Sequence, residues 1–454
     1  MGIALLCNAG VYNTLAHAEL LPATTAANVT VYELDNGMRI LVLPDHRAPV
    51  VVSQVWYRVG SSYEHNGVTG ISHMLEHMMF KGTKKLKPGE FSEIIAFNGG
   101  EENAFTGTDY TAYFQTIAAD RLELCLRLEA ERMRNLKLDE TELKKELQVV
   151  KEERRMRTED NPQALTFEQF QATAFVNSPY HHPIIGWMDD ITNYKVNDAR
   201  EWYDRWYAPN NAILVVVGDV QPAAVYALAK KYFGKLKPSL LVPPKTQIEI
   251  PQLGERRIKV HAPAEVPYVV LGYPVPVLKT AKEAWQVYAL DVLAGVLDGG
   301  DSARLSRELI RGQQIAAQVS VSYDMYDRLN SSFVLSAVPN DNKKVADIET
   351  ALRQQLNKLK THKISAEELA RVKAQVLASE VYQRDSMFYQ GMRLGLLEAV
   401  GLGWQRADEY VAGIKAVTAE QVQSVAKEYF VDQHVTVAEL VPQSSITAPN
   451  VSGE

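Results

Sequence analysis

Cysteine is nearly absent: 454 residues hold only Cys7 and Cys125. That excludes a disulfide framework and a thiolate metal cluster built from this chain. Long apolar runs are missing too. None approaches the roughly 20 residues needed to cross a bilayer, so no membrane span is expected. Positive charge is not in excess, with 48 Lys and Arg against 55 Asp and Glu and a net charge of -7. The two signs are interspersed, which leaves no long cationic face for phosphates and sets nucleic acid aside as a partner.

Charge is also lacking at the start, where "MGIALLCNAGVYNTLAHAEL" carries none before Glu19. The stretch ends in Ala16-His17-Ala18, a small-x-small pattern after a short apolar segment, and residues 1–18 are expected to be a signal peptide. A floppy terminus is the alternative, because a basic start is missing. Cys7 follows Leu6 and not a small residue, against a lipoprotein site. A signal peptide makes the mature chain periplasmic or secreted.

What is present is ordinary globular material, 46% hydrophobic and 23% charged. The length suggests two units. The chain repeats itself: "MRILVLPDHRAPVVV" from Met38 matches "RRIKVHAPAEVPYVV" from Arg256 at an offset of 218, with Ile40 on Ile258, Val42 on Val260 and Val51 on Val269. "ITNYKVNDAREWYDRWYAPNNAILVVV" from Ile191 matches "IKAVTAEQVQSVAKEYFVDQHVTVAEL" from Ile414 at an offset of 223. Each half runs from strands through helices to a closing strand, which gives an α+β fold of two homologous domains, 29–234 and 256–442. The Pro-rich 235–255 is the expected linker.

One cluster occurs in only one copy. "GISHMLEHMMFKGT", residues 70–83, carries His73, Glu76 and His77, and at offset 218 these fall on Asp291, Ala294 and Gly295. A requirement of the fold would appear in both copies, so the cluster reads as an addition for chemistry. On a helix Ile71, Met74, Leu75, Met78 and Met79 share one arc while His73, Glu76 and His77 share the opposite one. Two imidazoles one turn apart can close on a single ion, and H-x-x-E-H is the inverted zincin order. Glu76, beside the ligands but not among them, is placed to act as the base toward an attacking water. An exposed polar helix face is the bland alternative.

The segment "LDETELKKELQVVKEERRMRTED" offers a third ligand. Asp139 reads as its N-cap, with Glu142 completing a capping box. Counting from Leu143, Leu147, Val149 and Val150 fall at about +40°, -120° and -20° and mark the inward arc, while Glu146 and Glu153 fall at about -60° and -80°, within it. Inward carboxylates are costly without a partner, and a metal with a histidine N–H would supply one. Glu153 is the ligand of choice and Glu146 its supporting partner. The alternative is a helix whose carboxylates pair with Arg154 and Arg155.

These residues resemble the insulinase, pitrilysin and mitochondrial processing peptidase family of zinc metallopeptidases, over nearly the whole chain from about Val29 to Pro442. The resemblance implies zinc on His73, His77 and Glu153, catalysis by Glu76, and a chain shaped as half of a clamshell. The family's substrate-binding edge strand follows a paired glycine. Here that strand lies in "NGGEENAFTGTDYTAYF", and the family's Asn-Ala before a Thr falls on Asn103, Ala104 and Thr106. His181 and His182, in another family-like segment, are taken as structural, since neighbours in an extended chain point apart.

One family element is missing. The Arg and Tyr that bind the substrate carbonyl in self-sufficient members fall on Ile310 and Ala317, with Arg311 one place off. The resemblance then implies a homologous partner subunit supplying the Arg-Tyr pair, as a heterodimer or a homodimer. The expected function is a zinc metalloendopeptidase subunit acting on unfolded peptides. A non-catalytic scaffold of the same fold, or a peptide-binding module without turnover, are the rivals.

Overall fold

The computed structural model describes residues 28–443 apart from residue 243; the expected signal segment 1–18 and Cys7 lie outside the described residues. Strands β1 (Thr30–Glu33), β2 (Arg39–Pro44), β3 (Val50–Tyr57), β4 (Glu101–Thr106), β5 (Thr111–Ala118) and β6 (Ala212–Gly218) form one sheet in the order β1-β2-β6-β3-β5-β4. Strands β7 (Arg256–Pro263), β8 (Tyr268–Val275), β9 (Ala316–Ser322), β10 (Ser331–Pro339) and β11 (Thr436–Gln443) form a second, in the order β7-β11-β8-β10-β9. Without β1, the two orders match strand for strand. In both sheets the first and last strands of the half pair in parallel, β2 with β6 and β7 with β11. The chain is an α+β molecule of two homologous halves.

Strand alternation divides the first sheet's core. Ile40, Val42, Val51 and Val55 face the helices of the same half, while Leu41, Leu43, Trp56, Ile213 and Val215 face the other way. That second face is covered from the other half, by the helix Met387–Ala399 through Leu394 and Leu397. Gly391 and Gly395 permit the approach: a Cβ on Gly395 would stand 2.2 Å from the Trp56 ring. The exchange is reciprocal. Helix Pro162–Ala174 of the first half buries Phe170 on the second sheet, where a Cβ on Gly272 would lie 2.2 Å from the ring. Each sheet is thus buried on both faces only because its sister lends a helix, which ties the two cores together.

Residues 235–255 carry neither helix nor strand among those described. The segment is anchored all the same, since Glu249 accepts the backbone N–H groups of Val176, Asn177 and Ser178 at 2.9, 2.9 and 2.8 Å. No helix among the described residues is long and apolar enough to cross a membrane.

Candidate metal centre

The helix Ile71–Met78 begins at Gly70, whose φ of 85° suits glycine alone among common residues. A Cβ there would stand 2.3 Å from the Ile185 carbonyl oxygen, and one on Gly186 would stand 2.2 Å from that of Thr69. The two backbones therefore cross in contact, which locks the 179–186 loop to the start of the helix. Glu64 accepts the Gly70 and Ser72 N–H groups at 2.6 and 2.8 Å, satisfying donors that a helix start leaves free.

From there the helix buries Ile71, Met74, Leu75 and Met78, as their spacing predicts. The opposite arc, with His73 only 9% exposed and Glu76 and His77 half-buried, faces a cavity of about 1160 Å³. Helix Glu140–Arg154 supplies the facing wall. Asp139 caps it by accepting the Thr141 and Glu142 N–H groups, but the expected capping box is not closed, because Glu142 turns outward to Lys145 at 2.8 Å. Leu143, Leu147 and Val150 are buried; Val149, expected on the inward arc, is 50% exposed. At the edge of that arc the two helices part, and the cavity opens where Val149 would have been covered.

Three side chains converge. Glu153 Oε2 lies 3.4 Å from His77 Nε2 and 3.8 Å from His73 Nε2. One ligand atom from each of the three residues lies within 4.8 Å of the others. A tetrahedral zinc with bonds of roughly 2.0–2.2 Å holds its ligand atoms about 3.3–3.6 Å apart, so the set fits such an ion after small side-chain adjustments. Glu146 is the expected support: its Oε1 accepts from His77 Nδ1 at 2.9 Å, which leaves Nε2 for the centre. Lys81, unforeseen in the sequence, holds the other Glu146 oxygen at 2.6 Å.

The electrostatics match the arrangement. Burial and the neighbouring His77 push His73 down to about 4, so it stands neutral with a lone pair to offer. Burial alone would lower His77 as well, but Glu146 and Glu153 outweigh it and raise His77 to about 9. The field that holds a proton on His77 is one that favours a divalent cation in its place. Burial raises the Glu76 carboxyl, against the hydrogen bond that Thr106 Oγ1 donates to its Oε2. Thr106 entered the sequence reading only as part of a family pattern, and the bond to Glu76 had no signal there.

The arginines are redistributed. Arg154 turns into the interior, where it holds Glu168 at 2.8 and 2.9 Å and the Gly186 carbonyl at 2.8 Å. Arg157 takes the free oxygen of Glu153, Oε1, at 3.0 Å. The helix-face pairing expected for Arg154 is therefore replaced by a brace on the loop wall, while Arg155 does pair along the helix, with Glu152.

Asn103 and Ala104 lie on β4, an edge strand paired only with β5, and both line the cavity. Asn103 is exposed and folds its Oδ1 onto the Ala104 N–H at 2.8 Å. His181 and His182 do not point apart. Pro179–His181 is a 3-10 turn and not an extended stretch, which brings the two rings to 4.1 Å on the same cavity wall. Burial and His181 push His182 down to about 4.

All the residues lining the cavity lie between 73 and 185. Ile310 packs in the second core, Ala317 is exposed on β9, and Arg311 donates to the Asp301 carbonyl. Tyr323 and Tyr326 line a separate, smaller cavity. Among the described residues, the second half brings no donor to the cluster.

Comparison with known proteins agrees with this geometry. The profile of "Insulinase (Peptidase family M16)" matches residues 39–187, and that of "Peptidase M16 inactive domain" matches residues 193–376. The chain is 36% identical to the zinc protease PqqE of Helicobacter pylori over 90% of its own length and 92% of that protein's. It is 26% identical to the uncharacterized zinc protease YmxG of Bacillus subtilis, over 89% of this chain and 96% of that one. The crystal structure of a protease from Helicobacter pylori superposes with a TM-score of 0.86 at 35% identity, covering 91% of this chain and 99% of that one.

Proposed function

The chain belongs to the insulinase family, peptidase family M16, and from that premise we propose that it is a zinc metalloendopeptidase subunit that hydrolyses peptide bonds in unfolded peptides. The observation that carries this reading is the meeting of His73, His77 and Glu153 at ligand distance, with Glu76 beside them in one cavity. The ligand atoms are His73 Nε2, His77 Nε2 and Glu153 Oε2. A zinc ion, when bound, supplies a Lewis acid for the scissile carbonyl. Glu76 takes a proton from the attacking water and returns it to the leaving amine, a task helped by the burial that makes its carboxylate more basic. Thr106 aims that carboxylate, and Glu146 with Lys81 fixes the ring of His77.

Substrate adds to the free edge of β4 through main-chain hydrogen bonds, with Asn103 and Ala104 at the scissile register. Edge pairing demands an extended chain, which is why unfolded peptides are the substrate class. A developing oxyanion needs donors besides the metal. Since none comes from the described residues of this chain's second half, a homologous subunit carrying an Arg-Tyr pair completes the site as a heterodimer, and the two chains close as a clamshell. The Ala16-His17-Ala18 pattern supports a periplasmic or secreted location for this chain.

Metal analysis combined with digestion of an unstructured peptide tests the reading. Bound zinc with cleavage that disappears in Glu76→Gln, the zinc remaining, is the expected result. Zinc and peptide bound without cleavage, even beside a homologous partner, would make the chain a binding module; no zinc at all would make it a scaffold.

A further inference from the structure

The second half has a cavity of its own, of about 250 Å³, where the internal repeat relates it to the metal centre. Asp291, at the place of His73, and Val376, which offset 223 puts at the place of Glu153, both line it. The rings of Tyr323, Tyr326, Tyr389 and Tyr410 form much of the remaining wall. Asp291 is half-buried and accepts the Tyr410 hydroxyl at 2.7 Å. Among the described residues no Lys or Arg pairs with it, and burial pushes its carboxyl up to about 6. On another wall the side chain of Arg393 is 9% exposed. It pairs with Glu380 through Nη1 and leaves Nε and Nη2 without a hydrogen-bond partner.

Asp291 has no cationic partner among the described residues and Arg393 keeps two nitrogens free beside its pair with Glu380; such groups around one small, aromatic-walled space are costly unless a ligand completes them. We propose that this cavity binds a free α-amino acid with an apolar side chain, its ammonium on Asp291, its carboxylate on Arg393 and its side chain against the tyrosine rings. The volume lies below the roughly 300–1,000 Å³ of drug-sized sites, which excludes all but a small ligand. No metal enters the recognition, because Asp291, Ala294 and Gly295 replace the three residues of the first-half cluster. The proposal does not depend on peptidase activity.

Calorimetric titration of the full chain with leucine, leucinamide and N-acetyl-leucine tests it. Leucine should bind saturably, and the two derivatives, each lacking one charge, should bind at least about tenfold more weakly, the worth of a charge-assisted hydrogen bond. Asp291→Asn should weaken leucine by a similar factor, and Val376→Phe, which fills the cavity, should abolish binding. If Asp291→Asn does not fold, Val376→Phe decides alone. No leucine binding at about 10 mM, equal binding of all three compounds, or leucine binding unchanged in the folded variants would overturn the proposal. The last of these would move the ligand to the metal centre.

Discussion

In the first half, the helix Ile71–Met78 turns His73, Glu76 and His77 toward a cavity of about 1160 Å³; in the second, the matching helix Ala284–Asp298 carries Asp291, Ala294 and Gly295 at those places, and of the three only Asp291 lines a cavity, one of about 250 Å³. The difference lies in how closely a second helix approaches. Gly295 stands where His77 would be, and a Cβ there would come within 2.7 Å of Val372 Cγ1 on helix Ala366–Arg384. Val372 is 0% exposed, whereas Val149, its counterpart at offset 223, is 50% exposed. Leu369 and Val376 likewise stand where the first half has Glu146 and Glu153. One half spends the helix–helix contact on apolar packing, and the other holds the helices apart with polar side chains that face an opening. A common fold is compatible with both because the strands and the exchanged helices, not this contact, hold each half together.

Variants that exchange residues between the halves sharpen the comparison. The largest effect is expected from Glu76→Gln, which should cut peptide cleavage about 100- to 10,000-fold while zinc content stays unchanged; a drop in zinc instead would make Glu76 a ligand. Next comes the partner: adding a homologous subunit with an Arg-Tyr pair should raise cleavage about 100- to 1,000-fold, and Tyr→Phe in that subunit should remove much of the gain. Full-rate cleavage by this chain shown free of any partner would contradict the division of labour. Glu146→Leu, which installs the second-half residue, should weaken zinc about 10- to 100-fold by freeing the His77 ring, as a competition titration with a chelator would show. The smallest effects concern packing. Val372→Ala should cost about 2 kcal/mol for two buried carbon groups and the space they leave, while Val149→Ala should stay within about 0.5 kcal/mol, both measured by denaturant unfolding.

Much of this was legible in the sequence, for identifiable reasons. The offsets of 218 and 223 announced two copies, and the matching strand orders follow from that. His73, Glu76, His77, Glu146 and Glu153 were accessible because helical periodicity fixes which side chains share an arc, and the structure brings them together as that arc implies. Periodicity fails at the edges of an arc, where Val149 was misplaced, since exposure there depends on where the neighbouring helix departs. The reciprocal loan of helices Pro162–Ala174 and Met387–Ala399 left no trace in either segment alone, being a long-range packing choice that Gly272, Gly391 and Gly395 make possible from a distance in sequence. The extended stretch expected at His181 and His182 is instead a 3-10 turn over Pro179–His181, which sets the two rings side by side.

The account rests on a metal site in the first half and none in the second. Zinc stoichiometry in the purified chain tests this most directly, compared with His77→Ala and with Glu153→Val, which copies the second-half residue. About one equivalent in the parent chain, lost in both variants, is what a site of three protein ligands requires. Zinc retained in full by either variant, or about two equivalents in the parent chain, would contradict it.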